Sequence, residues 1–118
     1  GEALTNGIIF CNRKVDVDVV AKSLKKHGFD AAALHGDLDQ KLRAAGIDSL
    51  VIAGLQSEFC VDTACRVAQT LGYKVTLAAD AHSTFDNPVL PADKIVAHHN
   101  RLLSGIVARV APVAEIAF

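Results

Sequence analysis

Three cysteines, at positions 11, 60 and 65, give this chain its widest scope for covalent chemistry. Cys60 stands in Gln56-Ser57-Glu58-Phe59-Cys60-Val61, where a helical repeat begins, and a thiol at a helix N-terminus is favoured as the nucleophilic thiolate. The other reading is an inert thiol buried at the start of that helix. Cys65 falls with Val61, Ala64, Ala68 and Leu71 on the apolar stripe and reads as a small core hydrophobe. Cys11 closes a short apolar run and reads as core, with pairing to Cys60 on oxidation as the alternative. Three is an odd number, and cysteines five apart on a helix point to different faces, so reduced thiols are expected rather than a disulfide framework.

The remaining chemistry-bearing residues have mostly structural readings. His35 and Asp37, with Cys11 and Cys60, could gather at one sheet edge as an adventitious metal site. Their spacing matches no zinc pattern, so no metal and no cofactor is expected. His98 and His99 are adjacent and face different sides of a helix, which suits one packed and one solvated imidazole. Asp80 and Asp86 bracket a polar stretch and read as loop organisers rather than an acid/base couple.

The elements that must position these residues follow from periodicity. Gly7-Ile8-Ile9-Phe10-Cys11 is a first buried strand. Val17, Val20, Ala21 and Leu24 repeat at helical spacing from residue 15 until Gly28, and residues 31–34 make a second strand ending at His35-Gly36-Asp37. A brief helix through Leu42 and Ala45 stops at Gly46. Leu50-Val51-Ile52-Ala53-Gly54 is a third strand, and the Cys65 helix runs to Gly72. Residues 74–79 make a fourth strand and 80–87 its exit loop. A helix from Pro91-Ala92-Asp93, packed through Ile95, His99, Leu102, Leu103 and Ile106, leads to a last strand over 109–116, which Pro112 marks as an edge.

This order predicts one α/β domain over 1–118, a three-layer Rossmann-like or flavodoxin-like unit with a five-stranded parallel sheet in the order 2-1-3-4-5. Its site belongs at the carboxyl ends of strands one and three, in the loops after Phe10 and Gly54. Composition narrows the partners. With 12 basic and 13 acidic residues there is no overall positive field for a polyanion. Apolar runs such as 50–53 fall far short of the ~20 residues of a membrane span, and Gly1-Glu2-Ala3-Leu4 lacks a signal pattern, so a soluble cytoplasmic protein with no membrane partner is expected. Two open sheet edges make homodimer formation an expectation.

Two stretches resemble known families. Ile8-Ile9-Phe10-Cys11-Asn12, Leu24-Lys25-Lys26-His27-Gly28-Phe29 and Leu34-His35-Gly36-Asp37-Leu38-Asp39-Gln40 resemble the second RecA-like lobe of DEAD-box RNA helicases. That resemblance implies RNA-backbone contacts at Gln40 and Arg43, with Arg13, Lys14 and Lys41 adding a weak, salt-sensitive phosphate patch; a solvated helix end is the alternative. No phosphate-binding loop, Asp-Glu-Ala-Asp box or Arg-rich motif occurs, which excludes helicase or ATPase activity.

From Lys41 onward, Ile52-Ala53-Gly54-Leu55-Gln56-Ser57-Glu58-Phe59-Cys60-Val61, Asp80-Ala81-His82-Ser83-Thr84-Phe85-Asp86-Asn87 and His98-His99-Asn100 resemble the C-terminal half of isochorismatase-like cysteine hydrolases. This resemblance implies Cys60 as nucleophile, a cis peptide at Leu55-Gln56, and an oxyanion hole from the N–H groups of Gln56 and Cys60. The family's Asp on the first strand and Lys on a later one have no counterpart; Cys11 or Asn12 and His35-Gly36-Asp37 stand in those stretches. The first expectation is therefore a deliberately recombined chimera of fragments 1–40 and 41–118, a folding or design test without enzymatic activity, with which a start at Gly1 rather than Met agrees. A residual cysteine hydrolase using Cys60 is the second reading, and weak RNA-backbone binding the third.

Overall fold

The computed structural model describes residues 6–11, 17–20, 25–29 and 37–117. Its strands are β1 (Asn6–Cys11), β2 (Val17–Val20), β3 (Lys25–Phe29), β4 (Ser49–Leu55), β5 (Lys74–Ser83) and β6 (Arg109–Ala111); its helices are α1 (Asp37–Ala44), α2 (Asp62–Thr70) and α3 (Ala92–Leu103). The six strands form one sheet in the order β2-β3-β1-β4-β5-β6. β1 runs parallel to both β3 and β4, β4 to β5, and β5 to β6. β2 lies antiparallel on β3 at the edge.

β4 shows why the apolar runs become central strands. Its side chains alternate between two cores: Leu50 and Ile52 pack with Ile9, Cys11 and Leu77, while Val51 and Ala53 join Ala78 on the other face. The larger core draws on each of the described helices, through Leu38 of α1, Ala64, Cys65 and Ala68 of α2, and Leu103 of α3. Crossover handedness accounts for this. The steps β3-α1-β4, β4-α2-β5 and β5-α3-β6 all travel the same way across the sheet, so right-handed connections place all three helices on one face.

A return step from β1 to β3 would put a helix on the opposite face, and the sequence pattern expects one over 15–28. Instead Val17–Val20 and Lys25–Phe29 pair as antiparallel strands. Val17-Asp18-Val19-Val20 fits a two-residue alternation as well as a helical one, and its β-branched residues favour the extended form. Among the described residues no helix therefore contributes to the smaller core, against which Ile8, Ala81 and Ile116 pack. The expected three-layer unit with a five-stranded, all-parallel sheet in the order 2-1-3-4-5 gives way to a six-stranded sheet with an antiparallel edge and its described helices on one face. The strand expected at 31–34 lies outside the described residues.

The later elements follow the periodicity more closely. α2 ends where Gly72 takes a φ of 94° and the Tyr73 N–H reaches back to the Ala68 carbonyl at 3.1 Å, a Schellman-type closure. β5 continues four residues past its expected end at 79. β6 is only three residues long because Pro112 leads into a short 3₁₀ turn, Val113–Glu115, instead of more strand. α3 packs Ile95 and Leu103 but leaves Leu102 exposed and ends before the exposed Ile106, contrary to the expected face. Among the described residues no helix is long and apolar enough to cross a membrane.

Candidate active site

β4 delivers the chain to the site through Gly54, whose φ is 111°; a Cβ there would lie 2.3 Å from the Cys11 carbonyl oxygen, so the backbone at the end of β1 leaves no room for a side chain. The Leu55-Gln56 peptide is cis. Residues Ser57–Val61 then form a wide turn in which the Gln56 carbonyl accepts the N–H groups of Phe59 and Val61, both at 3.1 Å. The N–H of Asp62 closes the turn on the carbonyls of Ser57 and Phe59.

Cys60 lies within this turn, at the N-terminal end of α2, and is 9% exposed. The Cys11 thiol donates to the Cys60 carbonyl at 3.6 Å. Gln56 and Cys60, whose N–H groups the hydrolase resemblance assigns to an oxyanion hole, thus belong to a single turn. The N–H groups on either side of that of Cys60 are the ones taken by the Gln56 carbonyl. Cys65, one turn into α2, has no exposed surface; burial first, then the nearby Cys11 and Asp62, push its thiol up to about 12.

Behind the turn lies a buried polar chain that the sequence reading missed. Ser57 Oγ meets His82 Nδ1 at 2.7 Å, His82 Nε2 meets Asn100 Oδ1 at 2.7 Å, and Asn100 Nδ2 donates to the Ala79 carbonyl at 3.1 Å. His82 reaches this position through an irregularity in β5. Ile52 pairs with Leu77 but Gly54 with His82, so two steps along β4 span five along β5. That odd excess swaps the faces. Leu77 points to the helix side and Ala78 to the smaller core, yet Ala81 also faces the smaller core, leaving His82 toward the helices. Burial holds the His82 imidazole below its ordinary value, with His99 adding to the effect and the Asn100 bond opposing it. The signal in the sequence was that all three residues fall in the stretches resembling the hydrolases, although nothing there showed that they meet.

Other residues singled out from the sequence take structural roles. Asp86 Oδ1 accepts the Ala92 N–H at the start of α3 at 2.6 Å, and Asp80 Oδ1 accepts that of Val113 at 2.9 Å. Thr84 donates to Glu58, tying the strand-end loop to the Cys60 turn. His99 Nδ1 donates to the Ile95 carbonyl at 3.0 Å while His98 stays exposed. Of the pair considered for RNA, Gln40 is exposed on α1. Arg43 is occupied: its Nε lies 2.8 Å from Asp39, its Nη2 donates to the Leu71 carbonyl, and its guanidinium sits 4.7 Å from the Tyr73 ring centre. Arg43 therefore fastens α1 to the end of α2. Arg13, Lys14 and His35 lie outside the described residues.

Comparison with known proteins decides between the two resemblances. The isochorismatase domain model matches residues 13–117. Streptothricin hydrolase of Streptomyces noursei is 39% identical over 72 residues, 61% of this chain and 25% of that protein; the chain thus spans about a quarter of this relative's length. A crystal structure of an isochorismatase family protein superposes with a TM-score of 0.67 at 28% identity, covering 89% of this chain and 72% of the other. The helicase likeness is real but local: the ATP-dependent RNA helicase FAL1 of Candida albicans is 42% identical over 40 residues, 34% of this chain and 10% of the helicase.

These findings overturn the expectation of a recombined, inactive chimera. One family match passes through residue 40, where the two fragments were expected to join, and α1 continues into β4 there without a break in the fold. A match that spans all but the ends of the chain, backed by a superposition of nearly the whole fold, makes this chain a member of the isochorismatase family.

Proposed function

We propose that this chain is a thiol-dependent hydrolase domain acting on an acyl compound, a carboxamide first among them, with Cys60 as nucleophile. The observation that carries the proposal is the position of Cys60. It stands on the turn leaving the carboxyl end of β4, beside the end of β1, where neighbouring connections depart in opposite directions and open α/β sheets bind their ligands. The match to streptothricin hydrolase, a relative named for hydrolysis, supports the same class.

In the proposed reaction the Cys60 sulfur attacks the carbonyl carbon, and the N–H groups of Gln56 and Cys60 stabilise the oxyanion that develops. The C–N bond breaks, the amine leaves with the proton that the thiol gave up, and a thioester remains on Cys60. Water then cleaves the thioester, releasing the acid and restoring the thiol. A thiol with an oxyanion hole suits this acyl chemistry better than cleavage of an ether, which has no carbonyl to attack.

The test is a panel of nitrophenyl esters and nitroanilides, with the acyl-enzyme trapped by intact-mass spectrometry. A mass increase of one acyl group on Cys60, lost in Cys60→Ala along with turnover, is the expected result. Turnover that survives Cys60→Ala overturns the proposal.

A further inference from the structure

The chain Ser57–His82–Asn100 joins three separate elements, and its proton arrangement can be worked out bond by bond. The Ala79 carbonyl can only accept, so the Asn100 amide nitrogen faces it and the amide oxygen faces His82. That oxygen can only accept, so His82 Nε2 carries a hydrogen. Burial opposes a second proton on the ring, as does His99 on α3, leaving Nδ1 with a lone pair. Ser57 Oγ, 2.7 Å from Nδ1, must then donate. One orientation of each group satisfies the whole chain.

Ser57 is itself not a nucleophile, because it has no exposed surface on which a substrate could meet it. Its place in the sequence gives it another role. It follows Gln56 directly and opens the turn that ends past Cys60, and its carbonyl receives the Asp62 N–H that closes that turn. Its hydroxyl is thus a fixed point between the two N–H groups assigned to the oxyanion hole. Glu58, the next residue, is tied to Thr84 two positions beyond His82, so the turn is held twice to the end of β5.

We infer that Ser57, His82 and Asn100 form a positioning relay for the Cys60 turn, in which neutral His82, protonated on Nε2, fixes the Ser57 hydroxyl and through it the alignment of the oxyanion hole. The relay rests on the reading of Cys60 as nucleophile. None of the three residues touches the reacting atoms; they act through the backbone of the turn.

Two reactions of the same thiol separate positioning from plain folding. Acylation by p-nitrophenyl acetate builds an oxyanion and needs the hole, whereas alkylation by iodoacetamide is a displacement at a CH₂ group and does not. The ratio of the two rates at Cys60 therefore reports alignment. Ser57→Ala and His82→Gln should lower this ratio by about 10- to 100-fold, short of the full loss of a hole donor, with alkylation changed by less than about threefold. His82→Asn, which keeps an acceptor near the place of Nδ1, should restore the ratio to within about threefold of the parent. An unchanged ratio in Ser57→Ala, or equal losses in His82→Asn and His82→Gln, overturns the relay. A parent protein that acylates no faster than a free thiol defeats the nucleophile reading instead, which keeps the two failures distinct. The relay can also be read without substitution: ¹⁵N spectra of the parent protein should show His82 neutral with its proton on Nε2 at pH 7, and a proton on Nδ1 overturns it whether or not the variants fold.

Discussion

The turn of residues 57–61 and the helix that follows it each hold one buried cysteine, five residues apart, and treat it in opposite ways. Around Cys65 the surroundings are apolar and regular: Ala64 and Ala68 flank it on α2, the sheet lies beneath, and burial pushes the thiol up to about 12. Cys60 borders the same core, but the chain around it is irregular and carries polar ties, with one carbonyl collecting two N–H groups, a serine anchored to a histidine, and a cross-link from Glu58 to Thr84. On the reading proposed above, the same side chain is filler in one setting and reagent in the other. What separates them is whether nearby backbone N–H groups have been drawn into helical hydrogen bonding or gathered at a turn.

The sharpest way to break this contrast is to delete each sulfur in turn. Cys60→Ala should lower acyl hydrolysis by about a thousandfold, whereas Cys65→Ala should leave it within about threefold of the parent. Comparable losses from both would show that the helix, too, takes part in catalysis. Next in size is labelling. At neutral pH iodoacetamide should modify Cys60 roughly a hundredfold faster than Cys65, since Cys65 is fully buried and keeps its proton. Peptide mapping at early times gives the ratio, and a value near one would erase the distinction.

Stability at alkaline pH gives a third, smaller effect. The ordinary value for a thiol is 9.0, and in the folded chain Cys65 keeps its proton to about 12. Between these values the unfolded chain binds fewer protons than the folded one, so stability is complete below pH 9 and falls as pH rises, by about 1.4 kcal/mol per pH unit from this group. Urea titrations from pH 8 to 11 should show that slope flattened in Cys65→Ala. An identical slope in the variant would mean the Cys65 thiol does not titrate differently on folding. The smallest effect is expected at the surface. Arg66 pairs with Asp62 at 2.7 Å across one turn of α2, an exposed contact whose loss in Arg66→Ala should cost under about 0.5 kcal/mol and leave the labelling ratio intact. A changed ratio would show that the helix surface governs the turn.

Legibility in the sequence followed the regularity of the backbone. α1, β4, α2 and the start of α3 were readable because apolar spacing and stop residues agree there, as at Gly46, Gly72 and Pro91. The neighbours of Cys60 carry a family signature, and the cis peptide at Leu55-Gln56 lies where that signature put it. The partners of Ser57 were not readable. His82 turns inward only because β5 gains three residues relative to β4, and a bulge leaves no mark on an alternating pattern except to break it. The mostly polar stretch 80–83 accordingly reads as a loop although it completes a strand. In β2 the difficulty was ambiguity, since the valines satisfy two periods at once. The reading of two joined fragments failed for another reason: a local likeness of some 40 residues cannot say whether the sheet around it is continuous.

Gly54 fixes how such a site can vary. Any side chain at that position would collide with the backbone of residue 11, and no rearrangement of side chains can make room because the obstacle is main chain. In a mutational library this codon would come back as glycine whatever substrate was selected, while exposed positions that lie away from the turn, such as Gln40 and His98, stay open to change. New specificities would then arise around a thiol whose own place is inherited unchanged.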